Sequence, residues 1–278
     1  MVNWISRLDS IIRDKKTFLC VGLDPRIKII EDLGFEDLFE WGRAVIDATK
    51  DLVCAYKFQL AFYELLGIEG LQQMQKTINY AKESGVILIG DAKRGDIGST
   101  AEAYAGALFD TWGFDVVTVN PYMGFESIKP FLDTDGKGAF VVCRSSNASS
   151  FEIQELLVKG SNSEIELYQH VYHLVNKYDE NKNAGLVLGA TNVESIKRIR
   201  SLDDEIPLLV PGVGAQGAVI GNVLPASLSK KHNGRCVIPI SRAITYPSVS
   251  NDGLVHYLDS VSENARTFVH EMENHISP

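Results

Sequence analysis

The stretch GDAKRGDIGST at residues 90–100 gathers Asp91, Lys93 and Asp96 within six residues. Asp91 and Lys93 are two apart, so in extended backbone their side chains face the same way. Gly95 and Gly98 loosen the chain around Asp96 before a helix expected to begin near Ser99 or Thr100. Lys57, at the end of an earlier apolar run, would bring the set to two carboxylates and two ammonium groups. Burying such a network is costly unless every charge is paired. Its use would be electrostatic: a carboxylate against an anionic substrate group and a lysine placed to deliver a proton. The same residues also fit an ordinary loop with surface salt bridges, which are common and worth little.

The wider pattern favours a site. Polar or charged residues end almost every apolar run: Asp24, Lys57 and Gln59, Asp91 and Lys93, Asn120, Arg144-Ser145-Ser146, Thr191, Gln216, and Ser241-Arg242. A second cluster, PGVGAQG at 211–217, follows an apolar run and precedes a helical pattern. It fits the glycine spacing of a dinucleotide fingerprint, but that fingerprint expects an acidic residue about 20 positions on. None occurs between Ile206 and Asn251, whereas Lys230, Lys231, Arg235 and Arg242 do. Such an acid-free, basic segment suggests a phosphate monoester held by Gln216, Arg242 and backbone N–H groups, Arg242 making the bidentate contact. A tight turn followed by a solvated basic loop is the plainer alternative.

Residues at these positions need elements that carry them to one place. Eight strand candidates recur along the chain, at 18–24, 52–58, 86–91, 115–120, 138–143, 184–190, 207–211 and 236–240. They are nearly continuous apolar runs, as a parallel sheet covered on both faces requires. Helical patterns lie between them, for example at 63–84, 99–112, 164–178, 192–202 and 253–274, with Ser163 and Thr191 or Asn192 as caps. The expected architecture is an α/β (β/α)8 barrel forming one domain over 1–278, with an extra N-terminal helix at 2–15. A doubly wound open sheet is the alternative. A barrel places its active site at the carboxyl ends of the strands, where the polar residues fall. Two long connections, 144–163 and 221–235, read as lids or binding loops.

Composition excludes several classes. The 278 residues are 45% hydrophobic and 23% charged, with a net charge of −9 that argues against a nucleic-acid binder. No apolar stretch reaches the length of a membrane helix, and MVNWISRLDS lacks the apolar region of a signal peptide. The cysteines Cys20, Cys54, Cys143 and Cys236 sit singly in apolar runs, which suggests buried free thiols in a reducing cytoplasm rather than a metal site. Asn147-Ala148-Ser149 matches a glycosylation sequon, without weight in the absence of a secretory signal.

At these residues the sequence resembles the orotidine 5′-phosphate decarboxylase family, and more closely its longer second type. The resemblance covers essentially the whole chain. It rests on LCVGLDP (19–25), AYKFQ (55–59), GDAKRGDIGST, VNPYMG (119–124), the RSSN run (144–147), PGVGAQG and SRAI (241–244), in the family's order. The resemblance implies that Lys93 protonates C6 of the pyrimidine as carbon dioxide leaves. Asp91 would sit against the substrate carboxylate and, with Lys57, hold Lys93. Asp96 and Thr100 would come from the partner subunit of a homodimer. Asp24 and Lys57 would contact the ribose, Ser145 or Ser146 the pyrimidine amide, and Gln216, Arg242 and the backbone near Ser241 the phosphate. Gln59 counts among the substrate-contacting residues. No metal, flavin or pyridoxal cofactor is implied.

Three rival readings remain. A metal-dependent sugar-phosphate decarboxylase or aldolase of the same barrel group would want a further acid near Lys57, where this chain has Gln59. A Schiff-base aldolase would need a lysine of depressed pKa, yet carboxylates beside Lys57 and Lys93 favour the charged form. A non-enzymatic phosphate-binding barrel would not need the full charged set.

Overall fold

The computed structural model describes residues 3–160, 163–214, 217–232, 234–247 and 254–275. Eight parallel strands close into a barrel: β1 Leu19–Gly22, β2 Ala55–Gln59, β3 Ile87–Arg94, β4 Val116–Val119, β5 Gly138–Arg144, β8 Ala184–Leu188, β9 Leu208–Leu209 and β10 Cys236–Ile240. β10 closes on β1 through Leu19–Ile238, Cys20–Pro239 and Val21–Ile240. The remaining two strands, β6 Leu157–Lys159 and β7 Glu164–Glu166, form an antiparallel hairpin outside the barrel. Every expected barrel strand is present, the one at 207–211 reduced to two paired residues. The strands are buried on both faces because helices cover the outside and side chains fill the inside, which is why their sequences do not alternate. All four cysteines are buried and free.

Several boundaries move, each for a local reason. The pattern at 63–84 divides into Leu60–Glu64 and Gly67–Lys82, because Gly67 takes a left-handed φ of 65° that no continuous α-helix accommodates. The pattern at 164–178 becomes a helix only from Leu167, since 164–166 are spent pairing in the hairpin. Ser163 is therefore not its cap. Asn192 does stand at the N-cap of Val193–Leu202, but its side chain donates to Ser145 O at 3.0 Å instead of capping.

The segment 221–235 is not a lid. Its first part belongs to the helix Ile220–Ser227, packed through Val223 and Leu224 as an ordinary outer helix of the barrel. Lys231 pairs with Glu205, Arg235 pairs with Asp9, and Asp204 accepts from the backbone of Lys230 and Lys231. Asp204 and Glu205 precede β9 and Arg235 precedes β10, so these cations lie at the amino ends of the strands, opposite the expected site. Of the four basic residues, Arg242 alone follows its strand.

The N-terminal helix Trp4–Lys15 spans that opposite end. Asn3 caps it by accepting from Ile5 N, and Trp4, Leu8 and Ile12 are buried. Trp4 Nε1 donates to Asn183 O at 3.0 Å, Arg7 pairs with Asp115 at 2.7 Å, and Asp9 holds Arg235 at 3.0 Å. Those partners stand just before β8, β4 and β10, so the helix forms the barrel floor.

Candidate active site

The carboxyl ends of the strands surround a pocket of about 370 Å³. Asp24, Lys57, Gln59, Asp91, Lys93, Ser145, Ser146, Ser241 and Arg242 all line it. Residues expected from widely separated stretches thus meet because each ends a strand of one closed barrel.

At its base lies an ion network. Lys57 on β2 is 6% exposed and Asp91 on β3 is 8% exposed. Lys57 Nζ lies 3.4 Å from Asp24 Oδ1 and 3.3 Å from Asp91 Oδ2, while Lys93 Nζ lies 2.5 Å from Asp91 Oδ1. Gln59 Nε2 donates to Asp91 Oδ2 at 3.1 Å, and Ser241 Oγ donates to Asp24 Oδ2 at 2.6 Å. Burial opposes charge on Asp91, but the ammonium groups of Lys57 and Lys93 outweigh it and hold the carboxyl at about 2. Burial likewise opposes charge on Lys57, yet Asp24 and Asp91 raise its pKa above the ordinary lysine value. Both groups therefore stay ionised at neutral pH, as the sequence reading required. The Lys93 side chain is half exposed, so its ammonium reaches into the open pocket.

Local backbone makes this arrangement fit. The pairing of β3 with β4 is irregular between Gly90 and Arg94, and Lys93 adopts a left-handed φ of 46°. Lys93 thus meets Asp91 across a bulge and not along a regular pleat. At the other wall, a Cβ on Gly22 would stand 1.9 Å from Ser241 Oγ, so only glycine lets Ser241 reach Asp24. Tyr246 pins the turn after β1: its hydroxyl donates to Asp24 O and accepts from Arg26 N.

Arg242 opens the short helix Arg242–Thr245 at the rim, exposed and, among the described residues, without an ion-pair partner. Gln216 lies outside the described residues. Ser145 and Ser146 follow β5, where Ser145 N donates to Gln154 Oε1 at 2.8 Å. Arg144, read as a strand-end pocket residue, instead turns away and is buried. Asn120 and Thr191 also miss the pocket; Asn120 accepts from Tyr122 N and Thr191 donates to Ser146 O.

Asp96 and Thr100 do not line the pocket of their own chain. Asp96 accepts from Ile97 N at 2.8 Å, and Thr100 is exposed in the first turn of Gly98–Gly106. The pocket also contains Arg26, Phe62, Thr118 and Asn147, which the sequence reading did not assign. Thr118 had a visible signal, a single hydroxyl in the apolar run VVTV. Phe62 had none.

Residues 17–248 match the family model described as Orotidine 5′-phosphate decarboxylase / HUMPS family. An orotidine 5′-phosphate decarboxylase of Herpetosiphon aurantiacus is 43% identical over 237 residues, covering 84% of this chain and 85% of that protein. One of Flavobacterium johnsoniae is 41% identical over 251 residues, covering 88% and 90%. The solved OMP decarboxylase of Leishmania donovani superposes with a TM-score of 0.82 at 29% identity, covering 98% of this chain and 100% of that one.

Proposed function

The chain belongs to the orotidine 5′-phosphate decarboxylase / HUMPS family, and from that premise we propose that it converts orotidine 5′-monophosphate to uridine 5′-monophosphate and carbon dioxide without a cofactor, as a step of pyrimidine nucleotide synthesis. The observation that carries this reading is Asp91, buried and ionised between Lys57 and Lys93 at the base of a pocket with the exposed Arg242 at its rim.

The chemical difficulty is an electron pair left at C6 with no conjugated sink. In this reading the C6–carboxylate bond breaks, carbon dioxide leaves, and the pair at C6 takes a proton from the Lys93 ammonium. Lys93 then regains its proton from water. Only interactions stronger in the transition state than in the ground state accelerate that step. A cation held beside the forming carbanion meets the requirement, and Asp91 with Lys57 fixes its position. Asp24 and Lys57 contact the ribose, Gln59 supports Asp91, and Ser145 and Ser146 take the pyrimidine amide. Ser241, Arg242 and Gln216 hold the phosphate, whose binding energy offsets the cost of assembling the charged site.

Asp96 and Thr100 act in the neighbouring site of a homodimer. Their absence from their own pocket supports this, as do exposed Leu65, Ile68, Ile97, Tyr122 and Met123 on the segments that follow β2, β3 and β4. The reading also places the enzyme in the cytoplasm, where four buried thiols stay reduced.

The test is incubation of the purified protein with orotidine 5′-monophosphate and EDTA, following the loss of ultraviolet absorbance. Turnover that survives the chelator and disappears in Lys93→Ala is expected. No turnover by the unaltered protein would sink the proposal. Turnover abolished by EDTA would transfer it to the metal-dependent relatives of the barrel group.

A further inference from the structure

Thr118 sits in the middle of β4, 1% exposed, in a run otherwise apolar. Its Oγ1 donates to Asp91 Oδ1 at 2.9 Å and accepts from Lys93 N at 2.9 Å. A hydroxyl has one proton and two lone pairs, so the direction of this relay is set: Lys93 N–H to Thr118 Oγ1, then Thr118 O–H to the Asp91 carboxylate. An ionised Asp91 can only accept, so the one proton of the hydroxyl goes to the carboxylate while a lone pair receives the amide.

Two further facts give the relay a purpose. With Thr118, the Asp91 carboxylate has three hydrogen-bond donors, Thr118 and Lys93 on Oδ1 and Gln59 on Oδ2, and the Lys57 ammonium stands 3.3 Å from Oδ2 as an ion pair. Both carboxylate oxygens are thus engaged, and Oδ1 takes two of the three hydrogen bonds. In addition, the amide that Thr118 receives belongs to a lysine in the left-handed region at φ 46°, a conformation that persists only when its surroundings over-determine it. One hydroxyl therefore ties the charge of Asp91 to the backbone geometry that aims Lys93.

We propose that Thr118 is a positioning residue, the hydroxyl that holds the Lys93 backbone in its bulged, left-handed form above the Asp91 carboxylate. The inference rests on the decarboxylase reading above. Thr118 acts through Lys93 and Asp91, so its loss falls on kcat far more than on KM.

The experiment compares the unaltered enzyme with Thr118→Ser, Thr118→Val and Thr118→Ala. The valine variant keeps the shape and removes the hydroxyl; the alanine variant repeats the removal without crowding. We expect kcat to fall about tenfold to a hundredfold in both, the rate equivalent of one hydrogen bond to a charged group, with KM changed less than about threefold. Serine should recover most of the rate. In parallel, carbon-13 NMR titration of the Asp91 carboxyl should show its midpoint raised in Val and Ala and unmoved in Ser. Serine no better than valine, or a carboxyl midpoint unmoved by valine, would overturn the assignment. An unaltered enzyme that does not turn over the nucleotide refutes the underlying function instead, and the NMR titration then still decides whether the Thr118 hydroxyl bonds the Asp91 carboxylate.

Discussion

Asp91 carries a charge in a place where charge is expensive, and its environment determines how it responds to pH. Its folded value of about 2 lies below the ordinary 3.8, so the native state gives up that proton more readily than the unfolded chain. Its contribution to stability is therefore fully present above about pH 4 and is lost as the pH falls through about 2. Lys57 runs the other way: its pKa is raised above 10.5, so its contribution is complete below that value and fades only at more alkaline pH. Both hold their charges throughout the neutral range. Urea unfolding of the unaltered protein and Asp91→Asn from pH 6 to 2 should show a stability difference that is flat to about pH 4. Below that it should shift against the unaltered protein by on the order of 2 kcal/mol. A difference constant down to pH 2 would mean that Asp91 does not titrate as described.

Among the elements, the insertion after β5 decides how Ser145 and Ser146 are presented. Arg144 fastens it from below: the buried guanidinium donates to Ser145 O at 3.3 Å and Gln154 Oε1 at 3.2 Å, and also engages Ser150 Oγ and Glu155. From the other side, a Cβ on Gly189 after β8 would meet Ser146 Cα at 2.6 Å, so the chain there closes against glycine. Arg144→Ala should raise KM about tenfold with a smaller change in kcat, and speed amide exchange through 147–157, since hydrogen bonds to a charged group are lost from a buried anchor. An unchanged KM would separate the insertion from the pocket.

This element also marks what the sequence could disclose. The eight strands were legible because a sheet covered on both faces needs unbroken apolar runs, and such runs are visible without any partner. Asp91, Lys93, Lys57 and Asp24 were legible because strand ends in a barrel share one destination. Arg144 was misplaced because strand-end position says nothing about the direction in which a long side chain turns. The basic segment 230–235 was misplaced because composition alone does not say that a β/α unit returns the chain to the floor before the next strand. Thr118 went unassigned because its value lies in two partners on β3, distant in sequence.

At the scale of the molecule, the site is expected to be shared between two copies of the chain. Asp96→Ala and Lys93→Ala homodimers should each be inactive. After subunit exchange at equal amounts, half the dimers are mixed and each mixed dimer holds one intact site, so about a quarter of the normal activity should return. No recovery, with exchange verified by mass spectrometry, would confine Asp96 to its own subunit. The closed barrel has one more consequence. The helix Trp4–Lys15 covers the floor and the interior is packed, so among the described residues the pocket opens at the carboxyl ends of the strands. Nucleotide arrival, gas escape and product departure all use that doorway. A nucleotide seated in it therefore shares its width with the departing gas, and whatever narrows the opening slows both.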